Sequence, residues 1–80
     1  MKATVDLKFI EELRNEKGFT CAEMAKELGL KGTDKYYRRE KGEYKFQATE
    51  LPILARKLSV PIEKIFAYNL PKSQDKVTTS

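Results

Sequence analysis

The residues best suited to chemistry in this sequence are the cations and aromatic side chains between residues 31 and 46. This window carries six basic and three acidic side chains and so accounts for +3 of the +4 net charge of the chain. Its basic residues are Lys31, Lys35, Arg38, Arg39, Lys41 and Lys45, and its aromatic residues are Tyr36, Tyr37, Tyr44 and Phe46. Cations that neutralise phosphates release condensed counterions, which favours a polyanionic partner. The alternative is a solvated helix face, and charge alone leaves both interpretations open.

The composition excludes several other chemistries. The sequence contains no His, so imidazole acid/base catalysis, catalytic triads and most zinc ligand sets cannot be assembled from it. Cys21 is the single cysteine, and it can neither form an internal disulfide nor be activated by a histidine. We therefore expect no enzyme activity, no metal site and no cofactor.

The length and hydropathy of the chain predict one small domain. Eighty residues with 40% hydrophobic side chains suffice for a single modest core. We place the domain in residues 1–68 and expect a flexible polar tail over 69–80. No stretch approaches 18 apolar residues, and residues 1–6 lack the apolar core of a signal peptide. We expect a soluble cytoplasmic protein without membrane contacts.

The apolar spacing predicts helices throughout and no strand. Asp6 as N-cap and Gly18 as C-terminal stop delimit a first helix over residues 7–17. A capping box formed by Thr20 and Glu23 then begins a second, short helix that ends at Gly29.

Three further helices complete the predicted fold. The third covers residues 33–41, with Gly42 as its stop, and contains little apolar surface. The fourth has Thr49 as its N-cap, which places Pro52 in the first turn, and it carries an apolar stripe to Leu58. A last helix is predicted over 60–66, with Pro61 in its first position.

The second and third helices match the helix-turn-helix plan, in which the second helix of the pair enters the major groove of DNA. Over residues 7–67 the sequence resembles a known family, the phage repressor/Cro-type helix-turn-helix proteins. The resemblance lies in the order and spacing of Leu13-Arg14, Gly18-Phe19-Thr20, Met24-Ala25-Lys26-Glu27-Leu28-Gly29-Leu30, Glu40-Lys41-Gly42 and the segment 54–66.

This resemblance implies an all-α, lambda-repressor-like domain of five helices that binds operator DNA, commonly as a homodimer, to control transcription. It also implies a structural ion pair between Arg14 and Glu40. The sequence departs from the family pattern between Leu28 and Glu40, where it is one residue longer. It departs again at Arg39, where the family usually has an apolar residue, and at Cys21, where it often has a glutamine that contacts a phosphate.

The family register directs Tyr36 inward and five neighbouring side chains toward the groove, where we expect base contacts: Thr33, Asp34, Lys35, Tyr37 and Arg38. Arg38 is the strongest candidate, because a guanidinium matches the O6 and N7 acceptors of guanine; its alternative role is an ion pair with Asp34. Thr33 and Asp34 could instead only cap the helix. Lys35 could contact the backbone, and Tyr37 could pack or touch a phosphate.

Four further residues flank that helix and are expected to contact phosphates: Lys31, Lys41, Tyr44 and Lys45. Such contacts position a protein on DNA without reading sequence. Self-association would use the last helix or the region around Ile62, Phe66 and Tyr68, or form only on DNA. The alternative is that Ile62, Ile65 and Phe66 simply close the core.

The alternative function is a protein-interaction module with the same fold, such as an antirepressor, an antitoxin or an accessory subunit. It would use exposed apolar residues such as Ile53 or Phe66.

Overall fold

The computed structural model describes residues 2–69, and this part of the chain is mostly helical. Four α-helices are connected by short loops, and a small two-stranded sheet joins the two ends of the described chain. The elements are β1 (Lys2–Val5), α1 (Leu7–Lys17), α2 (Cys21–Glu27), α3 (Thr33–Glu40), α4 (Glu50–Leu58), a 3-10 turn (Ile62–Ile65) and β2 (Phe66–Asn69).

The all-α expectation is correct for the bulk of the fold but wrong at its two ends. The fifth helix predicted over 60–66 is a single 3-10 turn, after which Phe66 adopts an extended conformation. The chain then pairs antiparallel with β1, from Val5 opposite Phe66 to Lys2 opposite Asn69. Each strand has four residues, which is too short for a visible alternation, and the pairing joins segments far apart in sequence. Of the predicted tail over 69–80, Asn69 belongs to β2 and the rest lies outside the described residues.

Local side-chain chemistry determines where α1 and α2 begin, as predicted. Asp6 accepts a hydrogen bond from the Phe9 amide at 3.1 Å, and Thr20 and Glu23 form a reciprocal capping box. At α4 the N-cap residue is Thr49, also as predicted, but its hydroxyl makes no capping bond. Pro52 is the third residue of α4, where the amide that proline lacks would have no helical partner anyway.

All four described helices end in the same way, with one residue in the left-handed conformation: Gly18, Gly29, Gly42 or Ser59. In each case the amide of the next residue donates to a carbonyl five positions back, the bond that defines a Schellman motif. The donors are Phe19, Leu30, Glu43 and Val60, at 2.8–3.0 Å from the carbonyl oxygens of Arg14, Ala25, Arg38 and Ala55. Three of these donors are apolar and pack against the core, whereas Glu43 is exposed.

The core lies between the four helices and the 3-10 turn. Its buried side chains are Ile10, Met24, Ala25, Leu28, Tyr36, Leu54, Ala55, Leu58 and Ile65. Tyr36 is the one apolar side chain that α3 buries, and α3 packs mainly against α2. None of the described helices has the length and hydropathy needed to cross a membrane.

Replacing Ser59 by glycine should raise the free energy of unfolding by about 0.5–1 kcal/mol, because glycine adopts a positive φ without a Cβ clash. Ser59 has a φ of 60° and is the one non-glycine residue among the four helix-ending positions. Urea denaturation followed by circular dichroism measures the change.

Gly42→Ala is the matched comparison and should lower the free energy of unfolding by about 1–2 kcal/mol. Gly42 has a φ of 85°, and a Cβ there would lie 3.3 Å from Cδ1 of Leu7. Denaturation midpoints that are the same for both variants and the unsubstituted protein would contradict this account of the helix ends.

Candidate nucleic-acid interface

The helix α3 presents two faces of different chemistry. Tyr36, Arg39 and Glu40 share the inward face, as the spacing i, i+3, i+4 requires. The outward face contains the five side chains expected to contact bases, and all of them are exposed: Thr33, Asp34, Lys35, Tyr37 and Arg38. Tyr36 is fully buried, and its ring meets the ring of Phe46 edge-on, with the centroids 6.0 Å apart.

A buried carboxylate ties α3 to α1. Both oxygens of Glu40 accept from Arg14, from Nε at 2.8 Å and from Nη2 at 2.9 Å, so the ion pair implied by the family resemblance is present. The Tyr36 hydroxyl donates to Oε2 of Glu40 at 2.6 Å, and Nη1 of Arg14 donates to the Phe19 carbonyl. Among the described residues no buried side-chain polar atom lacks a partner.

The environment of Glu40 raises the pKa values of its two hydrogen-bond partners, Arg14 and Tyr36. The hydrogen bond to Glu40 is the main cause that raises the pKa of Arg14 above its ordinary value. Burial and then the hydrogen bond to Glu40 raise the pKa of Tyr36 well above its usual range. The Tyr36 hydroxyl therefore holds its proton more strongly than an ordinary tyrosine does, and it donates that proton to Glu40.

A second ion pair ties α3 to α4, and the sequence analysis missed it. Arg39, at the position where an apolar residue is usual, donates to Glu50 from Nε at 2.9 Å and from Nη2 at 3.1 Å. Its Nη1 also donates to the Lys35 carbonyl. Glu50, the first residue of α4, accepts a further hydrogen bond from the Gln47 amide in the preceding loop. An arginine on an otherwise inward face, with a glutamate in the first turn of the next helix, was the available sequence signal.

On the outward face, Arg38 lies among acidic and aromatic neighbours. Its Nη1 donates to Oε1 of Glu43 at 2.7 Å, and its Nε is 4.0 Å from Oδ2 of Asp34. The pairing with Asp34 considered from the sequence is thus present only at the distance limit, and the closer partner is Glu43. Arg38 and Lys35 both approach the face of Tyr44, at 5.9 and 5.8 Å from the ring centroid.

The start of α3 is not capped by a side chain. Gly32 is the N-cap residue, and no side chain accepts a hydrogen bond from the first-turn amides. The capping role considered for Thr33 and Asp34 is therefore not formed, and both side chains are exposed on the outward face.

The four residues expected to contact phosphates lie on either side of α3. Lys31 is exposed in the loop before the helix, and the other three are exposed after it. Lys41 is paired with Glu11 at 3.1 Å and lies 5.5 Å from the ring centroid of Tyr37. The hydrogen bond from Lys41 to Glu11 raises the pKa of this lysine. Tyr44 and Lys45 occupy the loop between α3 and α4.

The residues considered for self-association separate into two groups. Ile62 is exposed in the 3-10 turn, whereas Phe66 is partly buried against the core. The side chain of Tyr68 lies outside the described part of the structure.

Cys21 is partly buried, and this burial raises the pKa of its thiol, which disfavours the reactive thiolate. Among residues 2–69 no group of three or more acidic or cysteine side chains is arranged to hold a metal ion.

Glu40→Gln should lower the free energy of unfolding by about 2–3 kcal/mol, because it leaves the partly buried Arg14 without its counter-charge. Tyr36→Phe removes one hydroxyl from the same network and should cost only about 1 kcal/mol. Urea denaturation of both variants measures the difference. A Glu40→Gln cost no larger than the Tyr36→Phe cost would show that the charge of Glu40 is unimportant for the fold.

No protein-family model matches this sequence, and the comparison with curated proteins likewise gave no match.

Proposed function

We propose that this chain is a sequence-specific double-stranded DNA-binding regulator of transcription. In this proposal α2 and α3 act as a helix-turn-helix, α3 enters the major groove, and two copies bind the two halves of an operator in the cytoplasm. The observation that carries the proposal is the division of α3 into two faces. Its inner face is fixed by two ion pairs, and its outer face exposes cationic, hydroxyl and aromatic side chains.

The dimensions of α3 suit this role. An α-helix with its side chains is about 10–12 Å in diameter and therefore fits the major groove of B-DNA, which is about 12 Å wide. The eight residues of α3 present about 12 Å of helix length to the base edges. Its outer side chains have donors for guanine and acceptors for cytosine, and Tyr37 adds an apolar edge for a thymine methyl group. A helix with this surface can distinguish base pairs by their exposed edges.

The cations around α3 supply the contacts that would position it. Lys31 precedes the helix, and Lys41, Tyr44 and Lys45 follow it, so both ends of α3 have groups able to bind a phosphate. Arg39 belongs to the same basic window but is engaged with Glu50 inside the fold, and we assign it no DNA contact. One domain covers few base pairs, which is why we propose two copies on adjacent half-sites.

The first test is selection of bound sites from a random duplex pool, followed by measurements on the selected site. Arg38→Ala should weaken binding to that site by about 1–3 kcal/mol and relax the preference at one base pair. The matched control is Arg56→Ala, which removes an exposed arginine at the far end of α4 and should leave the affinity nearly unchanged. Failure to enrich any sequence would overturn the proposal.

Lys45→Ala tests the phosphate contacts separately. Because a phosphate contact reads no sequence, the variant should bind every duplex more weakly by a similar factor. The slope of log affinity against log salt concentration should also fall by about one. A binding affinity that is independent of salt, in the unsubstituted protein or the variant, would be incompatible with this role.

The alternative, a protein-interaction module, would use exposed apolar residues such as Ile53 on α4. Phe66, the other residue considered for it, is partly buried against the core. Isolated exposed aliphatic residues are common on monomeric proteins, so this surface is the weaker candidate. If the alternative holds, Arg38→Ala and Lys35→Ala will not change any binding activity, whereas Ile53→Asp will abolish association with the partner.

A further inference from the structure

The residue that follows the left-handed position is apolar at three of the four described helix ends, whereas at the end of α3 it is Glu43. After the left-handed residue, α1, α2 and α4 place Phe19, Leu30 and Val60, which pack against the core. An apolar residue is usual there because the Schellman motif brings it against the residue five positions earlier. At the end of α3 the same position holds Glu43, a charged side chain that remains exposed. Packing therefore does not explain this residue.

The motif instead joins Glu43 to the candidate base-reading residue. The Glu43 amide donates to the Arg38 carbonyl at 2.8 Å, and this bond places the two side chains next to each other. The Glu43 carboxylate then accepts from Nη1 of Arg38 at 2.7 Å. Glu43 thus contacts Arg38 twice, once through its backbone and once through its side chain.

The pair still leaves part of the Arg38 guanidinium free. Among the described residues, Nη2 of Arg38 has no hydrogen-bond partner, and the side chain retains 45% of its exposure. The guanidinium carbon also lies 5.9 Å from the ring centroid of Tyr44, within the range of a cation–π contact. A guanidinium held in this way can use its remaining N–H groups as a fork toward two acceptors on one base.

We propose that Glu43 is a specificity-determining positioning residue, which orients Arg38 toward a base and keeps it from binding phosphates indiscriminately. This inference rests on the proposed function, because it concerns how Arg38 would read DNA. The carboxylate offsets the charge of Arg38, so the arginine contributes little to binding of arbitrary duplexes. At the cognate base pair the orientation is already correct, and less conformational freedom is lost on binding. Specificity arises from the difference between these two effects.

Glu43→Gln tests the proposal, since the amide keeps the shape of the side chain and removes its charge. The variant should bind a random-sequence duplex more tightly and the selected site less tightly, so that the ratio of the two affinities falls about tenfold. The salt slope on the random duplex should steepen by about one, because Arg38 becomes available to phosphates. A merely structural role would change the unfolding midpoint and leave this slope unaltered.

The matched control is Glu63→Gln, which removes an exposed carboxylate in the 3-10 turn and should leave the affinity ratio unchanged. If Glu43→Gln raises both affinities by the same factor, Glu43 is only a repulsive surface charge and the inference is overturned. The inference is also overturned if the unsubstituted protein is selective and the variant has the same ratio of affinity for the selected site to affinity for the random duplex. If the unsubstituted protein prefers no sequence, the proposed function fails and this inference fails with it.

Discussion

The carboxylate of Glu40 determines how the helix α3 is held against the rest of the molecule. It accepts two hydrogen bonds from Arg14 and one from Tyr36, and only 3% of Glu40 is exposed to solvent. Removing a carboxylate and a guanidinium from water is costly, and this geometry offsets the cost because both carboxylate oxygens accept hydrogen bonds. Since α3 buries just one apolar side chain, hydrophobic contact alone would leave its rotation weakly defined. Directional bonds replace the missing apolar contacts.

The second ion pair, between Arg39 and Glu50, changes how the basic window should be interpreted. Six cations lie between residues 31 and 46, but they are not equivalent. Arg39 is engaged inside the fold, and Arg38 and Lys41 are paired with acidic neighbours at the surface. Lys35 is exposed on the outward face of α3, and Lys31 and Lys45 flank the helix. The number of cations in a segment therefore overstates how many a partner meets, because Arg38, Arg39 and Lys41 are already paired with acidic side chains within the protein.

The parts of this fold that depend on local chemistry could be predicted from the sequence, and those that depend on distant pairing could not. Asp6, Thr20 and Glu23 cap helices with atoms three residues away, so their roles are visible in a short window. The Arg14–Glu40 pair spans 26 positions, and only the family resemblance indicated it. The terminal sheet has no local signature. The Arg39–Glu50 pair had one signal, an arginine on the inward face of α3 followed by a glutamate in the first turn of α4. Neither feature has a counterpart in that resemblance. Which residues of α3 are exposed followed from the register that the family resemblance gave, but the contact between Arg38 and Glu43 required the loop geometry.

The pairing of β1 with β2 makes the described chain nearly a closed ring. Lys2 and Asn69 are opposite each other, so the first and last described residues are neighbours across a strand pair. Separating either strand leaves the ladder N–H and C=O groups of the other strand unpaired, so β1 and β2 open together. The strand pair also shows where this architecture could be rearranged: a short linker from Asn69 to Lys2, with a new opening in an exposed loop, would give a circular permutant of residues 2–69 with the same helical core.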